Sequence, residues 1–293
     1  MVGVEHVGAW IRRRRAVRRR LNPYVVGTPV LDQKLFFGRQ ALTSQTLERL
    51  ELGSVSVIGE HRIGKTSFLH HLRCSLAGRF EDHRKTVPVF VDLESSPGAG
   101  LLETLLEETL DLLTAGCAKR ADPRLCAVGA SSAAAQLSFC GGLLDEIGGR
   151  RGLAVRLVYL IDEIDTLADD VNLAETLAAL SEGVGAQVRF VIAGARRRAS
   201  APGEPGHGRG MFEELDLRPL SAEDGEALAR RPVEGVFDFE TTAIASILDR
   251  SRLRPHLIQR LCARAVDRML DDGRSVVRRS DVDTVSTTCA ERS

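Results

Sequence analysis

The sequence has no net charge and lacks the patterns that mark membrane spans and zinc sites. Lysine plus arginine and aspartate plus glutamate both number 40, so the overall charge gives no reason to expect nucleic-acid binding. No apolar run approaches the ~20 residues that a transmembrane helix needs. No apolar segment follows the N-terminal arginines, as it would in a signal peptide. We therefore expect a soluble, cytoplasmic protein with one large domain or two smaller ones.

Cysteine and lysine are also uninformative about function. The six cysteines form no C-x-x-C pair and have no histidine at zinc-ligand spacing, which predicts reduced, structural thiols. The basic residues are mostly arginine, which we attribute to the base composition of the gene.

Seven arginines lie between Arg12 and Arg20. Residues 1–21 therefore form a basic arm, which is either a solvated tail or a segment that binds DNA or an acidic lipid surface.

Strand and helix patterns alternate from about residue 22. Buried strands are predicted at SVSVIG, TVPVFVDLE, LAVRLVYLIDEID and QVRFVIAGA, and a last strand-like segment at FEELDLRPL. Continuous apolar strands separated by helices indicate a parallel sheet covered on both faces. After Pro219 the pattern is entirely helical, with a capping signal at Ser221 and Asp224. We therefore divide the chain into the arm, an α/β domain at 22–220 and a helical domain at 221–293.

A glycine-rich loop follows the first predicted strand and precedes a helix. It matches the pattern G-x-x-x-x-G-K-[ST], in which backbone N–H groups and the helix N-terminus surround a phosphate. Lys65 is expected to contact the β- and γ-phosphates, and the Thr66 hydroxyl to bind Mg²⁺. The predicted nucleotide-binding residues of this loop are Gly59, Glu60, His61, Arg62, Ile63, Gly64, Lys65, Thr66 and Ser67.

An acidic pair ends a second apolar strand about a hundred residues further on. Parallel strands present their carboxyl ends to the ligand, so Asp162 is predicted to hold the Mg²⁺; the alternative is an ordinary strand-end cap. Glu163 is predicted to act as the general base on the attacking water, with Lys65 as the second catalytic residue. Asp165 fits a helix cap better than a ligand. The guanine signature N-K-x-D is absent, which favours ATP.

These segments, taken in order, resemble the STAND-type/AAA+ P-loop ATPases of bacteria and archaea, close to their origin-recognition-like branch. The residues that carry the resemblance are NPYVVGTPV, FFGRQ, GEHRIGKTSFLHHL, VYLIDEIDTL, FVIAGA, LDLRPLS and RPHLIQRLCARAV. The similarity covers roughly residues 22–272. It implies an α/β fold with a parallel five-stranded sheet in the order 5-1-4-3-2, a C-terminal α-helical lid, and ATP and Mg²⁺ as cofactors.

The resemblance also implies roles for residues outside the two motifs. The segment with Tyr24, Val25 and Val26 would lie near the base, and Pro255 would begin the last lid helix beside the nucleotide. Arg39, in the Phe-Phe-Gly-Arg box, would tie that segment to the nucleotide site, or else form a salt bridge on the first helix. Candidate sensor or finger arginines are Arg196, Arg209 and Arg254.

Two departures from the family pattern favour a slow switch over a ring-type motor. The strand FVIAGA ends in Gly194 and Ala195, where many AAA+ proteins carry a polar sensor, and no arginine finger is evident. The first hypothesis is thus an ATPase that acts as a molecular switch. Because little sequence follows the lid, we expect separate partner proteins to supply sensing and output; a homo-oligomer is a further option.

Two other hypotheses about the function remain open. The second is a DNA-associated AAA+ ATPase of replication, transposition or defence, which would use the basic arm and a stripe of arginines on the last lid helix. That stripe, Arg260, Arg264 and Arg268, is otherwise a solvated helix face. The third is a scaffold that binds nucleotide without hydrolysing it.

Overall fold

The computed structural model describes residues 22–77, 79–81, 84–94, 101, 104–105, 107–109, 154–167, 188–195 and 212–290. The basic arm and two of the candidate sensor or finger arginines, Arg196 and Arg209, lie outside the described residues. The chain divides into two compact units. We call them the sheet unit (Leu42–His61 and Phe68–Leu217) and the lid unit (Met1–Ala41, Arg62–Ser67 and Arg218–Ser293).

The sheet unit is built on one six-stranded sheet. Its strands are β1 Val55–Gly59, β2 Phe80–Glu81, β3 Arg84–Asp92, β4 Ala154–Asp162, β5 Val188–Ala195 and β6 Glu213–Leu217. The spatial order is β2-β3-β4-β5-β1-β6. All pairs are parallel except β2 with β3. The five parallel strands confirm the predicted order 5-1-4-3-2, and β2 adds a short antiparallel edge that the sequence did not predict.

Burial explains why the central strands are mostly apolar. Residues 155–162 of β4 are all buried, as expected for a strand covered on both faces of a parallel sheet. The Tyr159 ring stacks on Phe190 of β5 with ring centroids 5.6 Å apart. The Tyr159 hydroxyl lies 2.7 Å from the hydroxyl of Thr109. A buried phenol needs such a partner, so this polar group does not weaken the core.

The register aligns the strand ends at one edge of the sheet. Gly59 is the residue opposite Ala195, and Asp92 is opposite Asp162. Since all four strands are parallel, their carboxyl ends share this edge, where open α/β sheets bind ligands. The order of the strands in the sheet also reverses at β1, because β1 lies between β5 and β6.

Helix α1, Gln40–Leu52, precedes β1. Leu50 is buried but Leu42 and Leu47 are only half-buried, so the three leucines of this helix face the core unequally. The other fully buried residue is Thr46, whose hydroxyl donates to the Leu42 carbonyl at 2.7 Å. This bond satisfies the hydroxyl within the helix.

The lid unit is mainly helical. Its helices are α3 Ala222–Arg230, α4 Thr241–Ser251, α5 Pro255–Asp271 and α6 Arg279–Ala290, and the two short strands β7 Asp238–Phe239 and β8 Val276–Val277 pair in parallel. The predicted cap is confirmed, because Ser221 Oγ accepts from the Asp224 backbone N–H at 3.0 Å. Helix α5 carries an apolar stripe at helical spacing. Its buried members are Ile258, Leu261, Cys262, Ala265, Val266, Met269 and Leu270.

A carboxylate–guanidinium pair lies near the C-terminal end of the lid unit. Arg274 donates to both oxygens of the buried Asp281, at 2.9 and 2.6 Å. Burial of the Asp281 carboxyl raises its pKa, but the Arg274 hydrogen bonds and the Arg278 N–H outweigh it and lower the pKa overall.

Among the described helices, none combines the length and the apolar character needed to cross a bilayer.

Candidate functional site

The phosphate loop connects β1 to helix α2, Lys65–Leu76. Two of its residues have left-handed backbones, Arg62 with φ 59° and Gly64 with φ 102°. Glycine adopts such angles without strain, whereas arginine does so only where the surroundings enforce it. The helix then begins at Lys65, so its first N–H groups follow the loop directly. This is the strand–loop–helix arrangement that phosphate binding requires.

Side-chain burial separates the loop residues into two groups. Glu60, His61 and Arg62 are exposed, whereas Ile63 is buried and can act on a ligand only through its backbone. Lys65 is only 6% exposed. A lysine is rarely so buried unless its charge is paired. The loop thus combines an exposed turn with an enclosed cation.

The predicted acidic pair ends β4. Asp162 is 2% exposed, and its Oδ1 accepts the Glu163 backbone N–H at 3.1 Å. Glu163 also has a left-handed backbone, with φ 53°. Backbone strain of this kind concentrates at functional sites. The turn therefore places the two carboxylates differently: that of Asp162 is buried in the protein, and that of Glu163 is half-buried beyond the end of the strand.

The 3₁₀ turn Ile164–Leu167 follows the acidic pair and explains the missing polar sensor. Asp165, in this turn, accepts a hydrogen bond from the backbone N–H of Ala195, and so holds the turn against the end of β5. A Cβ on Gly194 would lie 2.8 Å from Cγ2 of Ile164. A side chain at Gly194 would overlap Ile164, which is why glycine stands at this position.

Sequence reasoning missed two groups beside Asp162. His70 on α2 stacks on Phe90 with ring centroids 4.3 Å apart. Burial and the charge of Arg73 lower its pKa, while Asp162 and Asp92 act in the opposite direction. Asp92 ends β3 as Asp162 ends β4. Aligning the ends of the predicted strands would have found Asp92; His70 has no comparable sequence signal.

In the lid unit, the segment that begins at Asn22 packs along α5. The Asn22 amide donates to the Ala263 carbonyl at 2.7 Å and to Asp267 at 2.8 Å. Tyr24 is buried among the apolar lid residues, and its hydroxyl donates to the Ala229 carbonyl. The Tyr24 side chain, predicted to lie near the base, therefore belongs to the lid core.

Beyond Tyr24 the segment leaves the core and reaches the phosphate loop. The Val25 N–H donates to Gln259 Oε1 at 3.2 Å, and residues 26–29 are exposed. The Val30 N–H then donates to the hydroxyl of Ser67 at 2.9 Å. The predicted residues Val25 and Val26 thus lie on a stretch that joins α5 to the start of α2.

The N-terminus of α5 lies at the same loop. Pro255 is its first residue and Arg254 its N-cap. A contact with the Arg62 backbone raises the pKa of His256, but burial together with Arg260, Arg62 and Arg254 outweighs it and lowers the pKa overall. The residue that contacts the loop here is thus His256, which sequence reasoning did not select.

The Phe-Phe-Gly-Arg box joins α3 of the lid. Gly38 has φ 69°, and a Cβ there would lie 2.6 Å from Cγ of Asp224. Arg39 is buried; burial lowers the pKa of its guanidinium and the charge of Asp224 opposes this. The box therefore fixes the N-terminal segment to the first lid helix through close packing and charge.

The arginine stripe on α5 is partly engaged within the lid. Arg268 Nε lies 3.8 Å from Asp281. Arg260 is half-buried and acts electrostatically on His256. These two arginines are therefore not simply a solvated face.

The sheet order, the loop after β1 and the acid at the end of β4 define the fold of the AAA+ P-loop NTPases. Known structures share it. The RuvB Holliday junction branch migration motor of Thermotoga maritima matches with a TM-score of 0.51 and 18% identity, over 87% of this chain and 73% of that one.

Two DNA-bound structures are also similar. The Drosophila ORC bound to DNA has a TM-score of 0.59 and 14% identity, over 93% of this chain and 64% of that chain. The Aeropyrum pernix ORC1 protein in complex with DNA has a TM-score of 0.54 and 16% identity, over 87% and 66%. This chain thus spans about two thirds of those two proteins. No protein-family model matches the sequence, and no curated protein matches it significantly.

Proposed function

We propose that the protein binds and hydrolyses ATP and acts as a molecular switch. One observation carries the proposal: a phosphate loop with a buried lysine follows β1, and a buried aspartate with a strained glutamate after it ends β4 of the same parallel sheet. Ordinary structural turns do not need either feature, whereas P-loop nucleotide hydrolases use a phosphate-binding lysine and an aspartate that holds Mg²⁺. The absence of a guanine signature in the sequence supports ATP.

The loop residues divide the work of holding the phosphates. The N–H groups of residues 60–66 and the start of α2 would bind the phosphate oxygens, and Lys65 would neutralise the β- and γ-phosphates. The donors also fit Mg²⁺, a hard cation that prefers oxygen ligands and is commonly shared between one or two protein groups and phosphate. The Thr66 hydroxyl and the Asp162 carboxylate would hold it, and it would neutralise charge on the phosphates.

Glu163 would act as the general base. Its backbone is fixed by the hydrogen bond to Asp162, so its half-buried carboxylate emerges just beyond the strand. From there it can orient a water and accept its proton as the water attacks the γ-phosphate. Asp165 is already used by the Ala195 N–H, which leaves Glu163 as the better candidate of the two.

Closure of the lid would be the output of the switch. Val25, Val26 and Pro255 would border the base, and Arg39 would couple this segment to α3 through Asp224. Arg254, at the N-cap of α5, is a candidate γ-phosphate sensor, with Arg196 and Arg209 as further sensor or finger candidates. A ligand shifts such an equilibrium only by its differential affinity for the two states, and the γ-phosphate contacts would supply that difference.

The test is the substitution Glu163→Gln, with Glu48→Gln on the exposed face of α1 as the matched control. We expect Glu163→Gln to bind ATP with wild-type affinity and to lose turnover by about 100-fold or more. The control should keep both. Equal turnover in wild type and Glu163→Gln would refute the assignment of the base. If the wild type binds ATP without turnover, the scaffold function replaces the enzymatic one.

A DNA-associated function is the second candidate, because two similar structures contain DNA and the arm carries seven arginines between Arg12 and Arg20. The measurement is binding to duplex DNA across a salt series, with and without ATP. Phosphate contacts by the arm predict a steep loss of affinity as salt rises. An affinity independent of salt would exclude this function.

Partner proteins would supply sensing and output in the cytoplasm, and self-association would add a further level of control. Co-purification with a slowly hydrolysed ATP analogue tests this proposal. A monomer that recovers no other protein with the analogue bound would refute it.

A further inference from the structure

One buried amide in the lid unit has a donor without an acceptor. Gln259, on the first turns of α5, is 3% exposed. Its Oε1 accepts the Val25 N–H at 3.2 Å, but its Nε2 has no hydrogen-bond partner among the described residues. Buried polar groups in proteins are nearly always paired. The Nε2 group therefore lacks a hydrogen-bond acceptor among the described residues, and a ligand could supply one.

The orientation of this amide is set by its other contact. Only the carbonyl oxygen of Gln259 can accept the Val25 N–H, because the opposite orientation would set two donors against each other. The unpartnered atom is thus the NH₂ group, and its ligand must present an acceptor.

Gln259 also lies within reach of the phosphate loop. The chain runs from Val25 to Val30, and Val30 bonds to Ser67, the residue after Thr66. Five residues of extended chain span at most ~17 Å, which is comparable to the length of a nucleotide. His256, one helical turn before Gln259, hydrogen-bonds with the Arg62 backbone. Residues three apart share a helix face, so the face of α5 that carries Gln259 borders the loop.

We propose that Gln259 reads the base of the nucleotide, with Nε2 donating to the N1 ring nitrogen of adenine. The inference rests on the proposed nucleotide-binding function and adds the residue that sets its base specificity. N1 of adenine is a bare acceptor, whereas N1 of guanine carries a hydrogen and would oppose the NH₂ group. Because Nε2 is buried, the protein around it must open to admit the base.

Two variants test this role in the full chain. Gln259→Glu keeps an oxygen for the Val25 N–H but replaces the donor by an acceptor; Gln259→Met keeps the length and removes both. Gln33→Glu, an exposed position of the lid unit, controls for the added charge. Dissociation constants are measured for ATP, GTP and inorganic tripolyphosphate, and thermal unfolding without nucleotide identifies variants that retain the fold.

We expect both variants to bind ATP at least about tenfold more weakly, as for the loss of one buried hydrogen bond. Tripolyphosphate, which has no base, should bind as to wild type. Gln259→Glu should also lower the preference for ATP over GTP by about tenfold or more. Wild-type ATP affinity in both variants would overturn the inference, as would equal losses of ATP and tripolyphosphate. A folded wild type that binds neither ATP nor tripolyphosphate would refute the nucleotide-binding function itself. This outcome differs from the two that overturn the role of Gln259.

Discussion

Replacing Gly38 by alanine tests the link between the N-terminal segment and the lid. Two costs are expected. The backbone angle of φ 69° is left-handed, which costs a non-glycine residue roughly 1–2 kcal/mol, offset by about 0.4–1 kcal/mol from the less flexible unfolded chain. The new methyl would also lie 2.6 and 2.7 Å from Cγ and Cβ of Asp224. Relief of such overpacking costs about 1–3 kcal/mol.

Asp224 cannot swing away cheaply from that methyl. Its carboxylate lies 2.6 Å from the Ser221 hydroxyl, and its charge acts on the buried Arg39. The net destabilisation of Gly38→Ala is therefore expected at about 1–4.5 kcal/mol, which is the strain and overpacking costs together less the gain from the less flexible unfolded chain.

Gly273 provides the matched control, because it lies in the same unit with φ 68° and has nothing within 4 Å of its Cβ position. Gly273→Ala should lose only the conformational part, about 1 kcal/mol. Denaturant unfolding of both variants isolates the contact with Asp224 as the difference. If Gly38→Ala costs no more than Gly273→Ala, the close packing of the box against α3 is not a stabilising constraint.

Three further outcomes are expected. Asp281→Asn should destabilise the lid unit by about 1.5–3 kcal/mol at pH 7, as for the loss of hydrogen bonds to a charged group. Because the folded pKa of Asp281 is lowered, the wild type keeps this advantage above the ordinary aspartate pKa of about 4 and loses it as the pH falls through the folded pKa. Unfolding measured across a pH series tests this. A cost that is the same at pH 3 and pH 7 would contradict the ion-pair explanation. Gly194→Ser should destabilise the sheet unit by about 1–3 kcal/mol through Ile164, and wild-type thermal stability would contradict the overlap. Lys65→Ala should weaken ATP binding by about tenfold or more in a direct titration; unchanged affinity would remove the lysine from the site.

The elements nearest the site were predictable because their sequence patterns are local. The run from Val55 to Gly59 is a short apolar strand, and the glycines and lysine that follow fix a loop and a helix start. The capping pair at Ser221 and Asp224 is equally local. The α5 stripe was predictable because eight apolar residues repeat at helical spacing, with only Leu257 less buried than the pattern predicts.

The strand order came from the resemblance, since residues within a strand do not identify its neighbours. The two-residue β2 was not predicted because it is too short to show alternation. The resemblance implied that the Tyr24 segment lies near the base; the hydrogen bond from the Tyr24 hydroxyl to the Ala229 carbonyl inside the lid core has no local sequence signal. His256 and Gln259 were missed for the same reason: their partners, Arg62 and Val25, are distant in sequence, and no spacing rule connects them.

The phosphate loop belongs to the lid unit, which supports the proposed switch. Arg62–Ser67 belongs to the lid unit, whereas Gly59 before it and Phe68 after it belong to the sheet unit. The chain therefore passes from one unit to the other and back within a single loop. Val30 contacts Ser67 and His256 contacts Arg62, so both ends of this loop pack within the lid unit. A phosphate bound by these six residues, as proposed, would touch residues that Val30 and His256 already contact, so loss of the γ-phosphate would act on the lid unit through these two contacts.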